Sequence, residues 1–400
     1  AIIGMSCQYS ESADHHAFWQ NLIKGKDLLK RLNNHDENEA ITWLDSWIDG
    51  QDMFDPEFFN ISDKNAKTMS YSQRQLLLHA WKAIEDAGYR SDQIPKTGVY
   101  ISASNVDTPN LNVHDKMTDG QFILNAQDYV ASTLNQPGTL PTTISYHLGF
   151  TGPSLFVHSN CSSSMSAISL ACAALKAKEI DYAIVGAACL YPQRRTGYHY
   201  EKGMNFSSDA RCKVFDESAD GMIGGNGVSV IVLKRADDAV DDADNIYSVI
   251  RGINVNNDGK DKAGFFAPGN QGQMRVIEQT LQSANVNPES ISYIEAHGTG
   301  TALGDPIEFA SLQQVYQKYT TNKQFCGLGA VKSNLGHTDT LAGLTGLIKT
   351  SLSLYHKQLP ASLHYTTPNP HINLADSPFY VVDKQQAWET PYLPRRGAVS

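Results

Sequence analysis

Residues 153–190, PSLFVHSNCSSSMSAISLACAALKAKEIDYAIVGAACL, decide how this chain is read. Leu155, Phe156 and Val157 are strand formers, and Ser162, Ser163 and Ser164 are helix-start residues. Met165, Ile168, Ala171, Cys172 and Leu175 then recur at helical spacing, which predicts a helix with one apolar face. Tyr182 to Val185 is a short unbroken apolar run ended by Gly186, the pattern of a strand buried on both faces. Cys161 therefore sits at a strand-to-helix corner, beside the unpaired N–H groups of a helix start. Such a place lowers a thiol pKa and favours the nucleophilic thiolate, and the corner exposes the side chain as a nucleophile elbow does. Alone, Cys161 reads as readily as a small buried hydrophobe.

Two downstream segments change that balance. His297 lies in EAHGTGT directly after an apolar strand, in a loop where Gly298 and Gly300 permit close backbone approach. His337 lies in KSNLGHT, again in a glycine-containing loop ahead of a helix. A single loop histidine is more often structural or solvated than catalytic. Two at equivalent corners, with a cysteine at a third, are hard to explain by packing. Open α/β sheets hold ligands outside such corners, at the carboxyl ends of their strands.

The remaining chain repeats the theme. Ala1 to Cys7 reads as a strand, followed by a helix carrying Phe18, Trp19, Leu22 and Ile23. Residues 30–68 are polar and irregular, with Met53, Phe54, Phe58 and Phe59 as surface packing. SQRQLLLHAWKAIEDAG (72–88) predicts an amphipathic helix with Leu76, Leu77, Trp81 and Ile84 in the core and His79 on its surface. Residues 97–104 read as a strand. Residues 105–140 read as loop, with a helix near Asp128 to Leu134, and are expected to shape a pocket or interface. Residues 142–149 read as a short helix. The segment from Tyr191 to Asp216 reads as a long loop over the site, with His199 solvated. GMIGGNGVSVIVLKR (221–235) is a glycine-rich turn feeding a strand. It opens no helix, so it is not a dinucleotide fingerprint, and no Walker-type phosphate loop is present. DDAVDDAD (237–244) reads as a solvated helix or turn, IYSVIRGINVNNDG (246–259) as a strand ending in a turn, and 271–286 as a helix. Strand–turn–helix units recur in both halves without a linker, which predicts one α/β domain of duplicated build.

Composition narrows the function. The 400 residues suffice for a large core or for two halves sharing one. With 41% apolar and 18% charged residues, the mix is that of a globular protein. A net charge of −10 argues against a nucleic-acid surface. No apolar run reaches the ~18–20 residues of a membrane span, and no signal peptide is visible. Six cysteines, at 7, 161, 172, 189, 212 and 326, lack metal-ligand spacing, so free thiols in a reducing cytoplasm are expected. AIIGMSC reads as a buried strand already under way and RRGAVS as one just starting, so both ends look cut.

CSSS at 161–164, EAHGTGTALGDPIE at 295–308 and KSNLGHT at 332–338 resemble the three signatures of the β-ketoacyl synthases. AIIGMSC with FWQNL, LLLHAWKAIEDAGY, YEKGM, FD and NNDG resemble ketosynthase domains of modular polyketide synthases. The resemblance covers essentially the whole chain. It implies a thiolase-like fold of two related halves in a five-layered αβαβα sandwich, usually a homodimer. The halves would run over about 1–250 and 251–400. It implies that Cys161 accepts the acyl chain, and that His297 and His337 drive malonyl decarboxylation and stabilise the enolate. Lys332 resembles the family's site lysine and Glu308 its charge partner, while Thr299 and Thr301 match threonines that bind the phosphopantetheine arm. No metal or directly bound cofactor is implied. The substrates would ride on the phosphopantetheine of an acyl carrier protein, with flanking synthase domains as further partners.

Three departures stand out. Where the family carries Asp-Thr-Ala or similar before the cysteine, this chain has His158, Ser159 and Asn160. The resemblance makes Asn160 a substrate-touching position, and His158 is read as packing or dimer-facing. The family's Gly-Phe-Gly-Gly segment, expected to supply an oxyanion-hole N–H and a gating phenylalanine, would follow Ser400. Tyr71-Ser72 replaces the usual Asp-Pro, which with GGNG leans towards trans-acyltransferase or hybrid peptide–polyketide systems. Alternatives are a non-elongating ketosynthase that only transfers acyl chains, a free-standing fatty-acid condensing enzyme, a non-catalytic carrier-docking scaffold or a Cys-His hydrolase. A chain-length-factor-like subunit is disfavoured by the presence of Cys161.

Overall fold

The structure is a computed structural model that describes residues 1–32, 41–104, 117–118, 121–122, 125–262, 264 and 267–400. Five strands build the first sheet: β1 (Ile2–Tyr9), β2 (Thr97–Ala103), β3 (Ser154–Phe156), β4 (Tyr182–Cys189) and β5 (Gly227–Lys234). Their order is β1-β5-β4-β2-β3. β5 runs antiparallel to both neighbours, while β2 lies parallel to β4 and β3. Four strands build the second sheet: β6 (Tyr293–Glu295), β7 (Cys326–Gly329), β8 (Phe379–Val381) and β9 (Gly397–Val399). Their order is β8-β7-β6-β9, all parallel.

Helices cover both faces of each sheet. α1 (Tyr71–Asp86) and α2 (Thr139–Leu148) pack on the outer face of the first. α3 (Ser163–Lys176) lies on its inner face. α4 (Asn270–Ala284) packs against α5 (Gly304–Tyr316), and the buried face of α5 joins the outer core of the second sheet. The four-residue α6 (Lys332–Leu335) leads to α7 (Ala342–His356), which contacts α3 on one side and β6 and β9 on the other. The layering is helix–sheet–helix–sheet–helix, the thiolase-like architecture.

Local sequence explains the layers. All eight residues of β5 are buried because the strand has neighbours on both edges and helices on both faces. α1 starts at Ser70, whose side chain accepts the N–H of Gln73, and ends before Gly88 at φ +78. Leu76, Leu77, Ala80, Ala83 and Ile84 are buried, each large apolar side chain contributing about 1.5–3 kcal/mol. A Cβ on Gly4 would fall 2.3 Å from the Ala83 carbonyl oxygen, so α1 lies directly on β1 only because that position is glycine.

Several sequence expectations need correction. His79 is fully buried, not on the helix surface; its Nδ1 pairs with Ser6 Oγ at 2.8 Å. It lies three residues after Leu76 and four before Ala83, on the buried face that meets β1, while Gln75 Nε2 one turn earlier donates to the carbonyls of Gly50, Gln51 and Met53. Residues 246–259 form no strand beyond one bridge between Ser248 and Ile2. Their Asn and Asp side chains serve backbone groups instead, Asn256 donating to Gly272 and Asp258 accepting from Gly269. The loop after Leu190 contains a strand, Arg195–His199, paired with Ile41–Asp45; His199 is exposed there, opposite Ile41. Within 30–68, short strands at Lys30–Leu32 and Ile41–Asp45 replace part of the expected irregular stretch, and 33–40 lie outside the described residues. β3 is an edge strand with Leu155 44% exposed, and His158 lies beyond its end, stacked on Phe156. Much of the 105–124 stretch lies outside the described residues, and the expected helix runs over Ala126–Leu134.

Candidate active site

Cys161 follows a turn whose strain comes from one residue. Asn160 has φ +54, the left-handed region that asparagine tolerates better than most residues. Serines clamp this turn. Ser163 Oγ donates to Asn160 O at 2.5 Å and accepts the N–H of Ser159 at 2.8 Å. Ser162 Oγ donates to Ser159 O. Ser164 Oγ accepts the N–H of Leu344, which ties the start of α3 to the start of α7. The nucleophile corner and the His337 segment are thus joined by a buried bond.

His297 follows β6 in a loop held by one carboxylate. Glu308 accepts the backbone N–H of His297 at 2.7 Å and of Gly298 at 2.9 Å. Gly298 has φ +42, and a Cβ there would lie 2.6 Å from Val214. Asp305 accepts from Gly300 and from Phe215, so α5 grips the same loop a second time. Burial, with Glu308 adding to it, pushes the Asp305 carboxyl up to about 7.

His337 is placed by backbone contacts from the first half. Its N–H donates to Ile223 O at 2.7 Å, and its carbonyl accepts from Gly225 N–H at 3.1 Å. A Cβ on Gly225 would fall 2.1 Å from Leu335 O. The GGNG run therefore serves close approach of the two halves. The N–H of Asp339 donates to His337 Nδ1 at 2.9 Å. Nδ1 must then be unprotonated, so the neutral ring carries its proton on Nε2.

These three corners converge. Cys161 Sγ, one ring nitrogen of His297 and one of His337 lie within 4.8 Å of one another. The two imidazoles stand edge to face, 5.4 Å between centroids. Lys332 Nζ donates to His297 O at 2.5 Å. Its charge, then burial, drives the His297 pKa well below its ordinary value. Burial, then Lys332, lowers His337 to about 3. Both rings are neutral at physiological pH. Burial lowers the Lys332 pKa, opposed by the charges of Glu308 and Glu295.

Two sequence-level expectations come out differently. Burial raises the Cys161 thiol above its ordinary pKa, with Lys332 pulling the other way. Desolvation is the largest influence on it and favours the neutral thiol. Glu308 forms no ion pair with Lys332 within 4 Å among the described residues; it holds the His297 backbone and acts on Lys332 through space. Thr299 and Thr301 pair by their hydroxyls at 3.0 Å at the head of α5, and Asn160 is exposed beside the nucleophile.

Among the described residues, Cys161, His297 and His337 are the group of three metal-type donors close enough to hold an ion. The adjacent Lys332 charge and the engaged His337 Nδ1 suit an oxyanion better than a cation. Glu295, Asp305, Asp339 and Gly225 were not singled out by the sequence reading. Glu295 and Asp305 sit inside a recognised motif as acids at a strand end and a helix start, the one signal that could have marked them.

The comparisons agree with this geometry. Residues 1–239 match the family described as "Beta-ketoacyl synthase, N-terminal domain", and 247–366 match its C-terminal domain. The chain is 48% identical over its whole length to polyketide synthase PksN of Bacillus subtilis, of which it spans 7%. It is 35% identical over 99% of its length to polyketide synthase PksL of the same organism, spanning 9% of that protein. Among solved structures, ketosynthase twelve of the bacillaene polyketide synthase of Bacillus amyloliquefaciens superposes with TM-score 0.93 at 49% identity. That match covers all of this chain and 72% of the other. The module 1 ketosynthase of the bacillaene synthase from the same species gives 0.89 at 45%, with the same coverages. A thiol and two neutral imidazoles at converging strand ends, on this fold and with these relatives, place the chain in the β-ketoacyl synthase family, as an acyltransferase of the ketosynthase type found in modular polyketide synthases.

Proposed function

We propose that this chain catalyses decarboxylative Claisen condensation in polyketide chain elongation. The observation that carries the reading is the approach of Cys161 Sγ and the two histidine nitrogens to within 4.8 Å. Cys161 attacks an incoming acyl thioester, and its proton leaves with the carrier thiol. His297, whose ring nitrogens bond to no other described group, takes up the thiol proton in passing. Its low basicity makes that transfer concerted with attack rather than a prior ionisation.

Malonyl-carrier protein then enters. Its C–C bond to the carboxylate breaks, CO₂ departs, and the electron pair forms an enolate. His337 Nε2–H donates to the enolate oxygen, and neutral His297 supplies the second donor in its N–H tautomer. The enolate carbon attacks the Cys161 thioester, Cys161 leaves as thiolate and takes a proton from water, and the β-ketoacyl chain remains on the carrier. Thr299 and Thr301 would contact the phosphopantetheine arm, and Asn160 the acyl chain. The site uses no metal or bound cofactor in this scheme.

Acyl carrier protein, flanking synthase domains and a second copy of the chain are the proposed partners. The exposed Leu155 on edge strand β3 supports a homodimer joined along that edge. No helix among the described residues is long and apolar enough to cross a membrane, and a cytoplasmic setting with malonyl units delivered by a separate acyltransferase is proposed. Assaying CO₂ release from malonyl-carrier protein by the wild type and by His297→Ala tests the function. Release by the wild type and its loss in the variant are expected. No release by the wild type would leave acyl transfer without condensation as the better reading.

A further inference from the structure

Beneath the site lies a buried ion pair that takes no part in the chemistry above. Glu295 ends β6, two residues before His297, and Lys349 lies in the middle of α7. Their side chains are 2% and 0% exposed, and Lys349 Nζ lies 2.8 Å from Glu295 Oε2. The Tyr293 hydroxyl donates to the same oxygen at 2.5 Å. The other oxygen, Oε1, accepts the N–H of Val331 at 2.5 Å, one residue before Lys332. A Cβ on Gly346 would lie 3.1 Å from Glu295 Cγ, so glycine is what lets α7 come this close. The surroundings are apolar: Tyr293 packs with Leu359, Val382 and Trp388.

A buried pair of this kind adds little net stability over two apolar side chains of similar volume. What it supplies is connectivity. One carboxylate joins the strand leading to His297, the turn leading to Lys332 and His337, and the helix that follows His337. We propose that the Glu295–Lys349 pair is a positioning unit for decarboxylation, setting the spacing of the His297 and His337 loops around the enolate. The inference rests on the condensing reading above. The nucleophile corner belongs to the other sheet and acylation draws on His297 only for a passing proton, so displacing the two donors weighs far more on decarboxylation than on acylation of Cys161. Tyr293 completes the unit on the oxygen that faces Lys349, and the Val331 N–H does so on the other.

The test is the double variant Glu295→Met/Lys349→Met, measured in three ways. Whole-protein mass after an acyl thioester reports acylation of Cys161. CO₂ release from malonyl-carrier protein reports decarboxylation. Histidine ring ¹⁵N spectra report the protonation and setting of the two imidazoles. The expected result is acylation within threefold of wild type, a fall in kcat for CO₂ release of thirtyfold or more with KM within threefold, and displaced ring signals. A folded double variant with wild-type CO₂ release and unchanged ring spectra overturns the proposal, as does parallel loss of acylation and release. Should the double variant not fold, Tyr293→Phe removes one bond to the same carboxylate. A three- to tenfold fall in CO₂ release with intact acylation is then expected, and no change overturns the proposal. If the wild type itself releases no CO₂, the condensing reading fails separately. The ring spectra then decide the pair, displaced signals supporting it and unchanged ones overturning it.

Discussion

The backbone N–H of Asp339 donates to Nδ1 of His337 across 2.9 Å, and this one bond settles which way the imidazole works. With Nδ1 committed as an acceptor, the ring can offer the cavity only an N–H. In the proposed reaction His337 serves as a donor to developing negative charge and not as the base that activates Cys161.

Replacing that donor separates the two half-reactions. His337→Ala is expected to lower CO₂ release from malonyl-carrier protein by about 10²–10³, the usual cost of one oxyanion donor. Acylation of Cys161, read by intact mass, stays within about tenfold of wild type.

The buried neutral histidines make the protein sensitive to acid. His79 and His337 are both lowered by burial from the ordinary 6.5 to about 3. Below pH 6.5 the unfolded chain takes up protons that the folded chain refuses, so stability falls as pH drops from 6.5 towards 3. Each histidine contributes up to about 1.4 kcal/mol per pH unit in that window. Urea titrations between pH 7 and 4 check the slope, and His79→Gln is expected to flatten it by about one proton.

Cys161 should behave as a thiol whose pKa is raised by burial. Alkylation by iodoacetamide, followed by mass, is expected to rise about tenfold per pH unit from 7 towards 9. A plateau near neutral pH would mean that the helix start and Lys332 outweigh desolvation.

The two glycines ahead of β5 are not equivalent. A Cβ on Gly225 would meet Leu335 O at 2.1 Å, whereas one on Gly224 would find Tyr191 Oη at a comfortable 3.6 Å. Gly225→Ala must shift the segment that carries His337 and is expected to lower CO₂ release at least about tenfold. Gly224→Ala is expected to stay within about twofold.

The three reactive corners are legible in the chain because each follows a short apolar strand and carries a chemistry-bearing residue between small ones. The strand–turn–helix repeats make the two-sheet build legible for the same reason. What escapes is whatever depends on a partner outside the element itself. His79 looks like a surface residue from its polarity, although it shares a face with Leu76 and Ala83, because nothing local shows that Ser6 of β1 is its buried partner. Residues 246–259 have strand-like composition, but Asn256 and Asp258 bond to Gly272 and Gly269 and so tie the segment to the start of α4 rather than to a sheet. Lys349, in the apolar run LAGLTGLIKTSLSL, is the kind of misfit that points to a buried partner, yet only the fold shows that the partner is Glu295.

The most direct test offers isotopically labelled malonyl-carrier protein to the protein already acylated on Cys161, and follows both partners by mass. The account predicts that one CO₂ is released for each chain lost from Cys161, and that the carrier gains the acyl group on the former malonyl carbon. Transfer of the acyl group to carrier or water with the malonyl unit intact would contradict it.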